Sequence, residues 1–248
     1  MQVLLGRRAV VDVVVAMAAF LVSGSWILTA ADAGATYFLS AIAAGLAVVG
    51  NAAASILSRK PRLTTAADRV TLLRAVLVAC CAAATVPALF GGVGPGVPVV
   101  AVGAAAFLLD AVDGAVARRF ACVSPAGGRL DVQTDAALVL VLSCAAVPIL
   151  GPWVLATGLM WYAFVTAGWF RPELKRMLPV KRLRKVIGAF QPFALLLALT
   201  PGVPGGIGMV TVVLALVALV ASFGRDVVEL EQSHRKWTGR HSSTELVN

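Results

Sequence analysis

Two aspartates interrupt a run of residues that is otherwise apolar enough to cross a membrane. They lie in the stretch FLLDAVDGAVARRF at residues 107–120. Carboxylates near hydrocarbon are costly, and they usually mark a functional site. At about 100° per residue, positions i, i+3, i+4, i+7 and i+8 of this stretch share one face of a helix. The residues at these positions are Asp110, Asp113, Gly114, Ala117 and Arg118.

A second acidic face follows after a short connection. Gly127, Asp131 and Asp135 are spaced by four and share one face of the next helix. A connection of about eight residues predicts that the two helices are antiparallel neighbours, with both acidic faces at similar depth. Four carboxylates this close repel one another, so they are either largely protonated or neutralised by cations. Hard oxygen ligands at fixed spacing suit Mg²⁺ or Mn²⁺.

The acidic residues and their neighbours predict a metal-dependent site for phosphoryl transfer. Four aspartates could hold two divalent ions, which suits this chemistry, and Arg118 could steady a phosphate group. The small side chains of Gly114 and Ala117 would let a ligand approach the backbone closely. A divalent-cation transporter is the alternative from another class of function. It predicts acids spread across the membrane depth, whereas these acids cluster at one end.

The elements that position these residues must be membrane helices, because the chain is too apolar for a soluble domain. Its 248 residues are 60% hydrophobic and 13% charged, with a mean hydropathy of +0.91. Cys80, Cys81 and Cys144 fall within apolar runs and are predicted to be small core residues. Runs of spanning length, separated by turn residues, predict eight helices. They lie at about 9–30, 36–57, 70–90, 97–117, 129–150, 153–170, 186–200 and 206–224.

Basic residues predict the orientation of this helical membrane protein. All 21 Lys and Arg residues, Arg74 among them, fall on one side of the eight-helix arrangement, and the opposite loops have none. By the positive-inside rule, both termini and the acidic cluster are then cytoplasmic. The net charge of +9 is therefore a topology signal that requires no nucleic acid partner. The Ala-, Val- and Arg-rich composition is typical of a bacterial protein, so we expect a multi-pass protein of the bacterial inner membrane.

Two polar segments complete the predicted organisation. Residues 58–69, SRKPRLTTAADR, predict a short interfacial helix with Thr64 or Thr65 as its N-cap and basic side chains toward lipid head groups. The tail after about residue 230 is polar and is predicted to be mobile.

The acidic residues also belong to a longer pattern, D-x₂-D-G-x₂-A-R-x₈-G-x₃-D-x₃-D, over residues 110–135. This pattern resembles the signature of the CDP-alcohol phosphotransferases at every fixed position. The stretch Asp68–Arg74 resembles the family's first core helix, which often reads N-x-x-T-x-x-R, with Asp68 in place of Asn. The resemblance implies a homodimer and a six-helix core, which corresponds to residues 60–225. Helices one and two would be an added hairpin. We therefore expect a hairpin at 1–58, a transferase domain at 59–228 and a polar tail at 229–248.

The resemblance also implies a role for each residue of the pattern. Four would be ligands of two Mg²⁺ or Mn²⁺ ions: Asp110, Asp113, Asp131 and Asp135. Asp135 would in addition be the general base. A second group would contact the nucleotide and its diphosphate: Thr71, Gly114, Ala117 and Arg118.

In the implied reaction, Asp135 takes the proton of an acceptor hydroxyl, whose oxygen attacks the β-phosphorus of a CDP-linked donor, and CMP leaves. The stretch from Thr71 to Arg74 resembles members that use CDP-diacylglycerol, which favours phosphatidyl transfer from this lipid donor. The alternative is transfer of a head group from a soluble CDP-alcohol to a membrane lipid alcohol. The signature is compatible with both directions.

Basic residues between helices six and seven bear on the choice of acceptor. The loop 171–185 holds seven basic residues, which are typical either of topology charge or of a pocket for an anionic acceptor. The residues that would line such a pocket are Arg182, Arg184, Lys185 and Arg225. The K-x-K-T-x-x-Q pattern of members that use glycerol phosphate is matched only at its ends, by Lys185 and Gln191. Inositol phosphate, glycerol phosphate and serine therefore all stay open as acceptors.

Overall fold

The computed structural model describes residues 2–31, 34–59, 64–90, 96–119, 125–170 and 182–245. Side chains are described for these residues except 2–6, 111–119, 125, 168–170, 182–185 and 226–245. Within this part of the chain the regular structure is all-helical, as predicted. The helices are α1 Gln2–Ala30, α2 Ala35–Leu57, α3 Ala66–Phe90, α4 Val97–Arg119, α5 Pro125–Leu150, α6 Leu155–Phe170, α7 Arg182–Leu199 and α8 Gly205–Glu245, with a 3₁₀ turn at Pro152–Val154.

The apolar segments of these helices confirm a polytopic membrane protein. Five segments are long and apolar enough to cross a membrane, and they belong to α1, α2, α3, α5 and α8. Within the residues whose side chains are described, three further apolar helical segments are shorter, at Val97–Asp110, Pro152–Ala167 and Val186–Leu199.

Helix α3 is at the centre of the bundle. Of its apolar segment 67% is buried, whereas the other four long segments are 17–44% buried. It packs against α1, α2, α4 and α5. Apolar side chains of α3, such as Leu72 and Val76, form a core with Phe20 and Ile56 of the N-terminal hairpin, and other α3 side chains join a second core with α4, α5, α7 and α8. Cys80 and Cys81 are buried in these cores, as predicted, whereas Cys144 is half-buried.

Small residues let the helices of this bundle approach closely. A Cβ at Gly45 of α2 would lie 2.8 Å from the backbone oxygen of Ala79 in α3. A Cβ at Gly158 of α6 would lie 2.7 Å from the Cα atom of Leu140 in α5. Glycine is therefore required at both crossings, as is common where membrane helices associate through close backbone packing.

The helix ends alternate between the two ends of the bundle. Arg74, near the start of α3, contacts Asp110 near the end of α4 and Asp131 near the start of α5. At the other end, the hydroxyl group of Tyr37 at the start of α2 donates to the backbone oxygen of Phe90 at the end of α3, at 3.2 Å. This up-and-down order fits the predicted topology. The orientation in the membrane stays a prediction.

The first of the two polar segments differs from expectation. Thr65 is a cap, as predicted, but it caps α3: its Oγ1 accepts a hydrogen bond from the Asp68 amide (3.1 Å), and the Asp68 carboxylate accepts one from the Thr65 amide (2.9 Å). This capping box starts α3 at Ala66, so residues 66–69 are not a separate interfacial helix, and residues 60–63 lie outside the described part. The polar tail continues α8 as a helix to Glu245, and its mobility stays a prediction.

Candidate active site

The guanidinium group of Arg74 is the centre of the acidic cluster. Its Nη1 donates to Asp110 Oδ1 at 2.7 Å, and its Nη2 donates to the Oδ1 atoms of Asp131 and Asp135, both at 2.8 Å. Nη2 also lies 3.2 Å from the backbone oxygen of Asp131. The Arg74 side chain has no exposed surface. Three aspartates from two helices thus converge on one buried cation supplied by a third helix.

The aspartates themselves remain accessible from the outer side of the cluster. Their side chains are 37% exposed at Asp110, 40% at Asp131 and 47% at Asp135. The described hydrogen bonds from Arg74 reach the Oδ1 atom of each of them. Each carboxylate thus contacts a buried positive charge and keeps part of its surface exposed, where a cation or a charged substrate can reach it.

The geometry of these carboxylates fits a divalent metal ion. One oxygen atom from each of Asp110, Asp131 and Asp135 lies within 4.8 Å of the others. An ion that binds oxygen at about 2.1 Å spans about 4.2 Å between opposite ligands, so small side-chain rotations would bring all three onto one ion. An all-carboxylate donor set favours hard ions such as Mg²⁺ over zinc. The convergence of these three aspartates agrees with the prediction.

Four further residues of the acidic pattern are positioned by α4. Asp113, Gly114, Ala117 and Arg118 all lie in this helix, and Asp113 follows Asp110 by three residues on the same helix face. Their side chains lie outside the described set. The fourth metal ligand and the diphosphate contacts therefore stay predictions.

A comparison with family models decides the class of this protein. The model of the CDP-alcohol phosphatidyltransferases matches residues 64–222, which is more than half of the chain. The chain belongs to the CDP-alcohol phosphatidyltransferase family. No curated protein and no solved structure matches the chain. The matched region runs from the turn before α3 into α8, so the CDP-alcohol phosphatidyltransferase region includes Arg74 and the whole acidic cluster, while α1 and α2 precede it.

Membership identifies the general activity. CDP-alcohol phosphatidyltransferases are transferases of phospholipid synthesis that act on a CDP-linked alcohol and an acceptor alcohol in the membrane, with a divalent metal. The three converging aspartates are a site that could hold such a metal. The transporter alternative receives no support from this family.

Thr71, the predicted nucleotide contact of this CDP-alcohol phosphatidyltransferase, lies one turn before Arg74 on α3. It is buried, and its Oγ1 donates to the backbone oxygen of Ala67 at 3.1 Å. Its contact with nucleotide stays a prediction. Asp68, at the Asn position of the family stretch, is also buried, and it pairs with Arg59 at 2.8 Å.

The predicted acceptor residues lie on two helices. Arg182, Arg184 and Lys185 begin α7, and their side chains lie outside the described set, whereas Arg225 on α8 is exposed. Acceptor binding stays a prediction for all four. Gln191 is buried, and its Nε2 donates to the backbone oxygen of Ala215 at 2.8 Å, so it joins α7 to α8.

Sequence reasoning missed the part that Arg74 plays in this CDP-alcohol phosphatidyltransferase site. It grouped Arg74 with the charges that set topology. A usable signal was present, because Arg74 stands inside the apolar run VTLLRAVLVACC, beyond the basic segment before it. An arginine at such a position needs an acidic partner, and the aspartates of α4 and α5 were the available candidates.

Proposed function

We propose that the protein transfers the phosphatidyl group of CDP-diacylglycerol to a small hydroxyl acceptor and releases CMP. The observation that carries the proposal is the convergence of Asp110, Asp131 and Asp135 on the buried Arg74, with their outer faces accessible. Such a cluster binds cations, and a cation-loaded cluster binds a diphosphate. The family, whose members act on CDP-linked alcohols, supports this substrate class.

The carboxylates of Asp110, Asp131 and Asp135 would hold the metal, and Asp113 would be the fourth ligand. Two Mg²⁺ or Mn²⁺ ions bound there would neutralise the diphosphate and stabilise the charge of the departing CMP. Arg74 holds these carboxylates in place from below. Arg118, on the same helix as Asp110, would contact the diphosphate, which Gly114 and Ala117 would leave room to approach.

Asp135 would act as the general base, since it has the most exposed carboxylate of the three. It would accept the proton of the acceptor hydroxyl while the acceptor oxygen forms a bond to the β-phosphorus. The bond between that phosphorus and the bridging diphosphate oxygen breaks, and the oxygen leaves with CMP. The proton on Asp135 passes to water after the product departs.

The acceptor would be a polyol phosphate, such as inositol phosphate or glycerol phosphate, or serine. An anionic acceptor would find positive charge at Arg182, Arg184 and Lys185 at the start of α7 and at Arg225. We place this end of the bundle at the cytoplasmic surface of a bacterial inner membrane, with both termini cytoplasmic, because all 21 basic residues fall on one side of the helices. A soluble acceptor would then enter from the cytoplasm and the lipid donor from the bilayer. A homodimer, with residues 1–58 as an added hairpin and 229–248 as a tail, completes the proposal.

The test is CMP release by the purified protein in lipid nanodiscs. CDP-diacylglycerol is offered with inositol phosphate, glycerol phosphate or serine, each in Mg²⁺, Mn²⁺ or EDTA, and the lipid product is identified by mass spectrometry. Asp131→Asn is the inactive control. A second arm offers a soluble CDP-alcohol with diacylglycerol, and activity there alone would establish the opposite direction of transfer. Folded protein that releases CMP in neither arm would refute the proposal.

A further inference from the structure

Two ionic links join the N-terminal hairpin to the start of α3. Arg59, which follows α2 by two residues, donates from Nη1 to Asp68 Oδ1 at 2.8 Å. In the second link the hairpin supplies the acid: Asp12 of α1 accepts hydrogen bonds from Thr64 Oγ1 at 2.5 Å and from Arg69 Nε at 3.1 Å. Asp12 of the hairpin and Arg59, just after the hairpin, thus each pair with a residue of opposite charge in the first turn of α3.

The two links differ in burial. Arg59 and Asp68 are 11% and 2% exposed, whereas Arg69 is 58% exposed and Asp12 is 19% exposed. An exposed pair contributes little, because water screens it and both side chains lose freedom. Breaking a buried pair is strongly destabilising, because loss of one partner leaves an uncompensated charge away from water. The link between Arg59 and Asp68 is therefore the one on which local geometry depends.

Arg59 also reaches a second helix of the core. Its Nη2 donates to the backbone oxygen of Ala126, in the first turn of α5, at 3.1 Å. One guanidinium therefore connects the start of α3 to the start of α5. Asp68 precedes Arg74 by six residues, and Ala126 precedes Asp131 by five. At about 1.5 Å per residue, both connections lie about 8–9 Å along the helix axes from the acidic cluster.

We propose that Arg59 is a positioning residue for the active site. By holding the first turns of α3 and α5 together, it sets the spacing at which Arg74 of α3 meets Asp131 and Asp135 of α5. Arg59 lies outside the region that the family model matches, which begins at residue 64. A residue that directly follows the added hairpin, and that the family model does not cover, thus stabilises the geometry of the catalytic core. The inference rests on the proposed function, because it assigns Arg59 to the site that would bind the metal.

The test compares Arg59→Gln with Arg69→Gln in the full-length protein. Each variant removes one positive charge at the start of α3, so the general electrostatic change is matched, but only the first breaks the connection to α5. Mn²⁺ affinity is measured by calorimetry at 20 °C, without substrate, beside the melting temperature of each variant. We expect Arg59→Gln to weaken Mn²⁺ binding by about 10- to 100-fold, the range typical of residues that orient metal ligands. Arg69→Gln should stay within about two-fold of wild type, as expected for an exposed pair.

A rescue variant distinguishes the pair from Arg59 alone. Arg59→Gln with Asp68→Asn leaves no buried charge at positions 59 and 68, and its amides can still hydrogen-bond, so we expect at least about a three-fold recovery of Mn²⁺ affinity. If Arg59→Gln does not fold, Arg59→Lys takes its place with an expected loss of about 3- to 10-fold, because an ammonium group cannot bridge two acceptors as the guanidinium fork does.

Each other outcome counts against the inference. A lower melting temperature with unchanged Mn²⁺ affinity in the folded variant would mean that Arg59 supports the fold alone. Equal losses in Arg59→Gln and Arg69→Gln would mean that the effect is one of general charge. Wild-type protein that binds no Mn²⁺ would overturn the proposed metal site and this inference together, whereas wild-type binding that Arg59→Gln retains would overturn only the inference.

Discussion

Replacement of Arg74 by glutamine should make the stability of this protein depend on divalent cations. Arg74 is wholly buried and donates three hydrogen bonds of 2.7–2.8 Å to carboxylates. Hydrogen bonds to charged groups contribute roughly 1.5–3 kcal/mol each. Because the aspartates are 37–47% exposed and can turn partly to water, the lower end of that range applies. We therefore expect Arg74→Gln to lower the free energy of unfolding by about 3–5 kcal/mol, which is also typical when one partner of a buried ion pair is removed.

The loss should be largest in EDTA, because the clustered carboxylates then have no countercharge. Bound Mn²⁺ would supply the missing positive charge, and a ligand that binds the folded state alone stabilises it by RT ln(1 + [L]/Kd). At about a hundred times Kd this amounts to about 2.7 kcal/mol, so saturating Mn²⁺ should recover roughly half or more of the loss. For a chain of this size the deficit in EDTA corresponds to a melting temperature lower by about 10 °C.

The assay is thermal unfolding in detergent, followed by tryptophan fluorescence, with and without Mn²⁺. Arg69→Gln is the matched control, because it removes an exposed arginine from the same helix and should change stability by no more than about 0.5 kcal/mol. If Arg74→Gln in EDTA melts at the temperature of wild type, Arg74 is not the countercharge of the cluster. If Mn²⁺ raises its melting temperature no more than that of wild type, the cation does not substitute for the guanidinium.

Three further predictions concern the division of roles, the packing and the topology. Asp135→Asn should keep its affinity for the CDP-linked donor, measured by calorimetry, while its rate of CMP release falls by about 100-fold or more. Asp131→Asn should lose both donor affinity and CMP release. Equal loss of donor affinity in the two variants would make Asp135 a metal ligand without a separate role as base. Gly45→Val should destabilise the fold by about 1–3 kcal/mol through overpacking at a close helix crossing. Gly50→Val, whose added side chain meets open space, should have a melting temperature close to that of wild type. Similar melting temperatures for the two variants would contradict the close packing at Gly45. A cysteine introduced at Val203 should react with a membrane-impermeant maleimide from the periplasmic side of intact cells, and labelling only from the cytoplasmic side would invert the proposed topology.

Much of the fold and part of the site could be predicted from sequence because the signals are local. Runs of apolar residues indicate helices wherever the backbone must satisfy its own hydrogen bonds in hydrocarbon, and eight helices are present in the described residues at the predicted places. The spacing of three and four residues placed Asp110 and Asp113 on one helix face and Asp131 and Asp135 on another, since helical periodicity relates such positions directly. The short connection then predicted that the two faces would meet, and Asp110, Asp131 and Asp135 do.

Local signals misplaced the start of α3. The basic residues of segment 58–69 predict a separate interfacial helix that faces lipid head groups. The structure starts α3 at Ala66, since the reciprocal bonds between Thr65 and Asp68 cap that helix four residues before the apolar run begins. Hydropathy marks the apolar part of a helix and carries little information about a polar first turn.

The partners of Arg74 and Arg59 were decided by tertiary structure. Arg74 is 36, 57 and 61 residues from the three aspartates that it contacts, and Arg59 is 67 residues from the carbonyl of Ala126. In sequence Arg59 resembles the other basic residues that set topology, because a positive charge beside an apolar run looks the same whether it meets lipid head groups or carboxylates. Arg74 differs from them by standing inside an apolar run, but the sequence does not show which residues pair with it. Which arginines are buried depends on how α2, α3, α4 and α5 pack against one another. A buried arginine must pair with acidic or carbonyl groups, and this pairing is what makes Arg74 and Arg59 part of the site.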